Sequence, residues 1–272
     1  MSAAPSSGPS GTEPRTGGAR DRILKQIRAV MPLLVLAAVF AVVVGNQSVL
    51  RGLLQLLFPD AQQYLYPRAT LGALLGEHLI LVLVSSSAAT LIGVGLGVLV
   101  THPMGRDFLS IVQDISSLAQ TFPPVAVLAL AVPALGFGFQ PTVVALFIYS
   151  ILPVLNNTIS GMEAIPSELT EASRGLGMTK LQVLFLSELP LAARVIAAGV
   201  RTSVVINIGT ATVGAVVGAG GLGVVIIAGL VRDNTAFVFS GAVTAALLAL
   251  LVDWGLNRME DLFYAPRGRQ SR

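Results

Sequence analysis

The stretch "VGAVVGAGGLGVVIIAG", residues 213–229, holds Gly218-Ala-Gly220-Gly-Leu-Gly223, a formal G-x-G-x-x-G. In dinucleotide-binding domains a strand leads into this pattern, a helix leads out, and the helix N-terminus meets a pyrophosphate. An acidic residue about 20 positions on then holds the ribose. Here the next acids are Asp233 and Asp253, about 10 and 30 residues past Gly223, so the required acid is missing. The residues on either side of the glycines therefore decide the fold.

Those surroundings are apolar over the whole chain. The composition is 54% hydrophobic and 11% charged, with a mean hydropathy of +0.79, whereas soluble domains carry about 25% charged residues. Cysteine is absent, which excludes a disulfide framework and thiolate chemistry. His78 and His102 are too far apart, with no cysteine to help, to suggest a zinc site. The net charge of +3 and pI near 9.7 read as basic residues held on one side of a membrane rather than as a nucleic-acid surface.

Measured against the roughly 20 apolar residues a bilayer requires, the chain reads as an all-α polytopic bundle of about six spans. These are Val30–Gly45, Leu79–Val100, Ile115–Leu135, Thr142–Ile159, Val195–Val217 and Ala236–Leu256. Residues 1–29, rich in Gly, Pro and Ser at their start, read as a disordered tail without signal-peptide features. Residues 30–258 form the membrane domain, and 259–272 a second tail. With the N-terminus inside, all of the 17 Lys and Arg residues except Arg51, Arg68 and Arg232 fall on the inner side. The positive-inside rule then places both termini in the cytoplasm. The glycine run falls on the outer side, out of reach of a cytoplasmic dinucleotide. Glycines there let backbones approach and turn, and Gly93-x-x-x-Gly97 and Gly214-x-x-x-Gly218 have the spacing of close helix packing.

The longest inner segment, "GMEAIPSELTEASRGLGMTKLQVLFLSELPLAAR" (residues 161–194), reads as two short helices. Pro166 suits a first turn, Glu168 and Glu171 complement a helix N-terminus, and Gly175 and Gly177 suit its end. Thr179-x-x-Gln182 is a capping box, and Met178 with Val183 has the spacing of a hydrophobic staple. Leu181, Leu184 and Phe185 share a face, and Pro190 is expected to stop the run. That stripe is buried either by a partner or by the chain's own spans.

Here the sequence resembles a family. Glu171-Ala172-Ser173-x-x-x-Gly177, followed after a fixed interval by Leu189-Pro190, is similar to the EAA loop of permease subunits in binding-protein-dependent ABC importers. Two positions depart from the family pattern: Ser173 stands where alanine is usual, and Ser187 where isoleucine is usual. The resemblance covers residues 75–258. It implies a type I ABC importer permease fold, with a coupling loop (residues 162–194) that docks on cytoplasmic ATPase subunits through Glu171, Ala172, Gly177, Leu181, Leu184, Phe185 and Pro190. It also implies an extracytoplasmic substrate-binding protein, a second permease copy or paralogue, and a bacterial inner-membrane location. "GEHLILVLVSSSAATLIGVGLGVL" and "SELPLAARVIAAGVRTSVVINIGTATVGAVVGAGGLG" resemble, more narrowly, permeases for glycine betaine, choline and carnitine. Methionine permeases share the GAGGLG run.

The chain has no P-loop, since neither Lys25 nor Lys180 follows a glycine in the required pattern. It is expected to have no enzymatic activity, with ATP and magnesium bound by the partner ATPase. Trp254 is the one tryptophan, and no aromatic cage for a quaternary ammonium is evident. Substrate selection is therefore expected in a separate binding protein. Polar residues inside spans are candidates for a translocation pathway, above all Asn207, Thr210 and Thr212, with Asn156 and Asn157 as a second set. The plainer reading for each is a hydrogen bond between helices worth around 0.6 kcal/mol. Asp114 and Asp253 suit the interface or a pair with arginine, and His78 an outer boundary. A secondary transporter would carry repeats and mid-span charges, which are not found. A membrane oxidoreductase would need the missing acid.

Overall fold

The computed structural model describes residues 19–264 with the exception of Gln120. The outer parts of both segments read as tails, residues 1–18 and 265–272, lie outside the described residues. The inner parts are helical: α1 (Ala19–Gly45) begins within the first, and α11 (Thr235–Tyr264) runs into the second. Between them lie α2 (Gln47–Leu57), α3 (Leu71–Thr101), α4 (Leu109–Ala119), α5 (Pro124–Leu135), α6 (Phe139–Glu163), α7 (Ser167–Gly175), α8 (Lys180–Val183), α9 (Leu189–Ala211) and α10 (Gly223–Val231). The described residues are all-helical, with no strand.

Four stretches are continuous helices long and apolar enough to cross a membrane, Leu71–Thr101, Phe139–Glu163, Lys180–Val217 and Thr235–Phe263. The expected first span lies within α1 and is followed at once by a bend, whereas the expected third span is itself broken. The pair α1 and α2 bends by 94°, and the pair formed by Arg106–Ala119 and α5 by 98°; counting each bent pair as one span brings the total to six. The second break has a local cause. Pro124 occupies the first turn of α5 and forces Pro123 into an extended conformation (φ −66°, ψ 140°). Tyr149 on α6 donates its hydroxyl to the Phe122 carbonyl at this break.

The core is a three-helix contact, with α6 packed against α3 on one side and α9 on the other, and α11 covering α9 and α10. Two glycines allow α3 to approach α6. A Cβ on Gly93 would stand 3.0 Å from Val154 Cγ1, and one on Gly97 2.7 Å from Thr158 Cβ. The expected Gly93/Gly97 seam is therefore real. The Gly214/Gly218 pair is different: Gly214 faces Thr142, but Gly218 is a left-handed turn residue (φ 79°) with no neighbour near its missing side chain. Leu81, Val82, Leu146, Ile208, Leu222, Val225 and Phe237 fill the main buried cluster.

Candidate functional site

The α6–α9 connection forms locally much as its sequence suggests. Pro166 takes the N-cap position of α7, one residue before the expected first turn, and Glu168 and Arg174 complement the two ends of the helix dipole. Gly177 (φ 82°) closes α7, with its N–H donating to the Arg174 carbonyl at 2.9 Å. The capping box is complete: Gln182 N donates to Thr179 Oγ1 at 3.4 Å, and Thr179 N to Gln182 Oε1 at 2.8 Å.

Pro190 does not end the run. After α8 the chain widens into a π-turn over Leu184–Glu188 and continues as α9, with Pro190 in its first turn. Proline there lacks an N–H and would collide with the carbonyl one turn back. The wider turn carries the helix through.

The loop divides its apolar residues between two environments. Val183 is buried and Leu184 half-buried, whereas Leu181 is 68% and Phe185 61% exposed. Leu176, at the bend between α7 and α8, is also exposed. Glu171, Ala172 and Gly177 are exposed beside them, as is Pro190 on the following turn. Val183 thus folds back on the chain, while Leu176, Leu181 and Phe185 leave their apolar side chains exposed on the same loop as Glu171. Leu176 is absent from the sequence-derived set because it falls between the two helical patterns.

Side chains tie this loop to the bundle. Glu188 is buried, and its Oε1 accepts from Thr170 Oγ1 on α7 at 3.4 Å. Its Oε2 stands 3.4 Å from His102 Nε2 at the C-cap of α3. A cavity of about 480 Å³ opens beside them, lined by His102, Arg106, Glu163, Glu171, Arg174 and Glu188. Glu188 and His102 were not expected here; nothing in the local sequence of either points to the other.

The candidate pathway residues separate. Asn207 is fully buried and donates from Nδ2 to Ser85 Oγ (3.0 Å) and Ser86 Oγ (2.9 Å), locking α9 to α3. Ser203, one turn earlier, donates to the Ser150 carbonyl of α6 at 2.7 Å. Asn207 thus makes the bond between helices that its plainer reading expects. Thr210 faces α5 and α6, beside Leu128 and Thr142. Thr212 donates to the Gly209 carbonyl at 2.7 Å and opens a 3₁₀ segment, Thr212–Val217. Asn157 bonds back to the Pro153 carbonyl at 2.8 Å on its own helix. Asp253 pairs with an arginine, as expected: Arg201 Nε lies 3.5 Å from it and 3.6 Å from Glu260.

The glycine-rich run has its own anion. Gly218, Gly220 and Gly221 all have positive φ, which turns the chain from the 3₁₀ segment into α10. The Gly221 N–H donates to Glu77 Oε2 of α3 at 2.9 Å. A Cβ on Gly220 would come within 2.3 Å of that carboxylate oxygen, and one on Gly223 within 1.9 Å of the Thr212 carbonyl. The glycine turn therefore meets a carboxylate, but it is a side chain of the same protein and it is held by the single Gly221 N–H. His78 is fully buried beside it, with Nε2 2.9 Å from the Ile208 carbonyl. It is an interior strut between α3 and α9, not the boundary residue its position suggested. These two contacts place the start of α3 and the glycine turn at one end of the bundle, opposite the α7–α8 loop.

The described residues thus form a bundle of membrane-length helices with the short helices α7 and α8 at one end. A model of the family described as binding-protein-dependent transport system inner membrane component matches residues 89–261. The chain is 38% identical to the osmoprotectant import permease protein OsmW of Salmonella typhimurium over 203 residues, covering 73% of this chain and 93% of that one. It is 41% identical to the choline transport system permease protein OpuBB of Bacillus subtilis over 194 residues, covering 71% and 88%. A structure of the MetNI methionine ABC transporter shares the fold, with a TM-score of 0.62 at 24% identity over 69% of this chain and 93% of that one. The chain belongs to the family of inner-membrane components of binding-protein-dependent transport systems.

Proposed function

We propose that this chain is the permease subunit of an ATP-driven importer for quaternary-amine osmoprotectants, the class that includes glycine betaine, choline and carnitine. The substrate class rests on relatives near 40% identity whose names specify osmoprotectant and choline transport. The structural observation behind the mechanism is the exposure of Leu176, Leu181 and Phe185 on a loop that is ordered by the capping box and by the Glu188 contacts.

In this reading the loop docks on a separate cytoplasmic ATPase subunit, which binds ATP and magnesium. Both chain termini are cytoplasmic, on the side of the α7–α8 loop. A loaded binding protein docks at the opposite end, and a second permease copy or paralogue completes the pathway. ATPase closure pushes on α7 and α8. The push reaches α3 through Glu188 and His102 and reaches α9 through the π-turn, shifting the population between inward- and outward-open states.

Uptake of labelled glycine betaine at high osmolarity tests the assignment, in cells with and without the gene, with choline, carnitine and methionine as competitors. Uptake that requires the gene and is competed by the quaternary amines supports it. Competition by methionine alone would move the substrate to amino acids.

A further inference from the structure

We propose that α2 lies in the membrane–water interface, with its free apolar face in the hydrocarbon of the leaflet at the glycine-turn end of the bundle. α1 packs along the membrane-crossing α11, and α2 turns 94° away from it. The axis of α2 therefore runs nearly parallel to the membrane plane. Asn46 fixes the corner, accepting from Val49 N at 3.1 Å as the N-cap.

The residues of α2 fall on three sides of the helix at about 100° per residue. Leu50 and Leu54 are buried against Ala236, Tyr64 and Phe239. Gln47, Arg51 and Gln55 form a polar side a quarter turn away. Val49, Leu53, Leu56 and Leu57 form the remaining side, all exposed, with Leu56 at 80%. This free apolar side is opposite the polar side, and the buried side lies between them. A helix attached laterally to a bundle in the membrane plane needs this arrangement: one flank on protein, one face toward lipid and the other toward water. α1 also leaves apolar side chains exposed, at Val35, Val39 and Val42, and Arg51 lies on the side of α2 opposite the free face, where a headgroup would meet it. The occupant that fits all three sides is the lipid leaflet.

The chain has no native cysteine, so a single introduced thiol carries a fluorophore without background. The full-length chain, as Leu56→Cys, Leu53→Cys or Gln55→Cys, is labelled and reconstituted in vesicles of phosphatidylcholine and phosphatidylglycerol. Quenching is then measured with brominated phosphatidylcholine and with aqueous iodide. Labels at positions 53 and 56 are expected to be quenched strongly by the brominated lipid, and several-fold less by iodide than the label at position 55. Equal iodide quenching at positions 55 and 56 would place the face in water and overturn the proposal. Shielding of position 56 from both quenchers would also overturn it, because another protein chain would then cover the face. Two positions on the free face keep the test decisive if one variant fails to fold.

Discussion

Ser173 Oγ donates to the Leu169 carbonyl at 2.8 Å and lies 3.3 Å from Ser187 Oγ. These are the two positions at which the loop departs from its family pattern, and they touch each other across the α7–α8 corner. The departures form a pair: a hydroxyl contact stands where the pattern would place alanine against isoleucine.

A double-mutant cycle tests that pairing. Ser173→Ala or Ser187→Ala alone is expected to cost about 1 kcal/mol or less in thermal unfolding, the scale of a half-buried hydroxyl bond. The coupling between the two positions should be about 0.5 kcal/mol or more. Ser187→Ile should be better tolerated together with Ser173→Ala than alone. Strict additivity would show that the hydroxyls do not interact.

The exposed side chains of the loop and the buried residue next to them should behave differently. Leu181→Asp and Phe185→Asp are expected to abolish co-purification of the ATPase while changing the permease's own unfolding by no more than about 0.5 kcal/mol. Val183→Ala should do the opposite, costing up to about 2 kcal/mol in stability while leaving the docking face intact. Pull-down and thermal melts on the same variants separate the two effects.

Glu188→Gln and His102→Ala are expected to leave ATPase assembly intact and to lower uptake several-fold, because they loosen the link between the loop and α3. Co-purification and uptake measured on the same membranes check this. Undiminished uptake in both variants would remove the link from the mechanism.

The glycine turn should tolerate no side chain where its backbone is crowded. Gly223→Ala, whose Cβ would meet the Thr212 carbonyl at 1.9 Å, is expected to abolish accumulation of folded protein. Gly209→Ala, in the last turn of α9, meets nothing within 4 Å and should stabilise the helix by up to about 1 kcal/mol. Yield and melting temperature of the two variants read out the contrast.

Asn207→Ala should lower stability by about 0.6–2 kcal/mol, the range for hydrogen bonds between membrane helices, and leave the concentration dependence of uptake unchanged. A shifted half-saturation with unchanged stability would restore Asn207 to the pathway.

These residues also mark how far the sequence could be read. The Thr179–Gln182 capping box and the Gly177 turn are local, involving neighbours within a few positions, and both are present as expected. The family loop was legible for the same reason. The π-turn at Leu184–Glu188 was not, because Pro190 alone signals a stop and gives no sign of a wider turn that accommodates it. α2 is too short to register as a span, and α10 was hidden in the apolar run after the glycines. The contacts that matter most are distant in sequence: Glu77 and Gly221 are 144 residues apart, and Ser85 and Asn207 are 122 apart. A polar residue in an apolar stretch shows that a partner is required but does not identify it, so a helix contact was the plainer reading of Asn207 while Ser85 and Ser86 could not be named.

The most direct test is accumulation of labelled glycine betaine in cells expressing this chain and its binding protein, with and without the partner ATPase subunit. Accumulation against the concentration gradient only when the ATPase is present, and its loss with Leu181→Asp, is the expected result. Accumulation that persists without any ATPase subunit would contradict an ATP-driven permease and make the chain a secondary transporter.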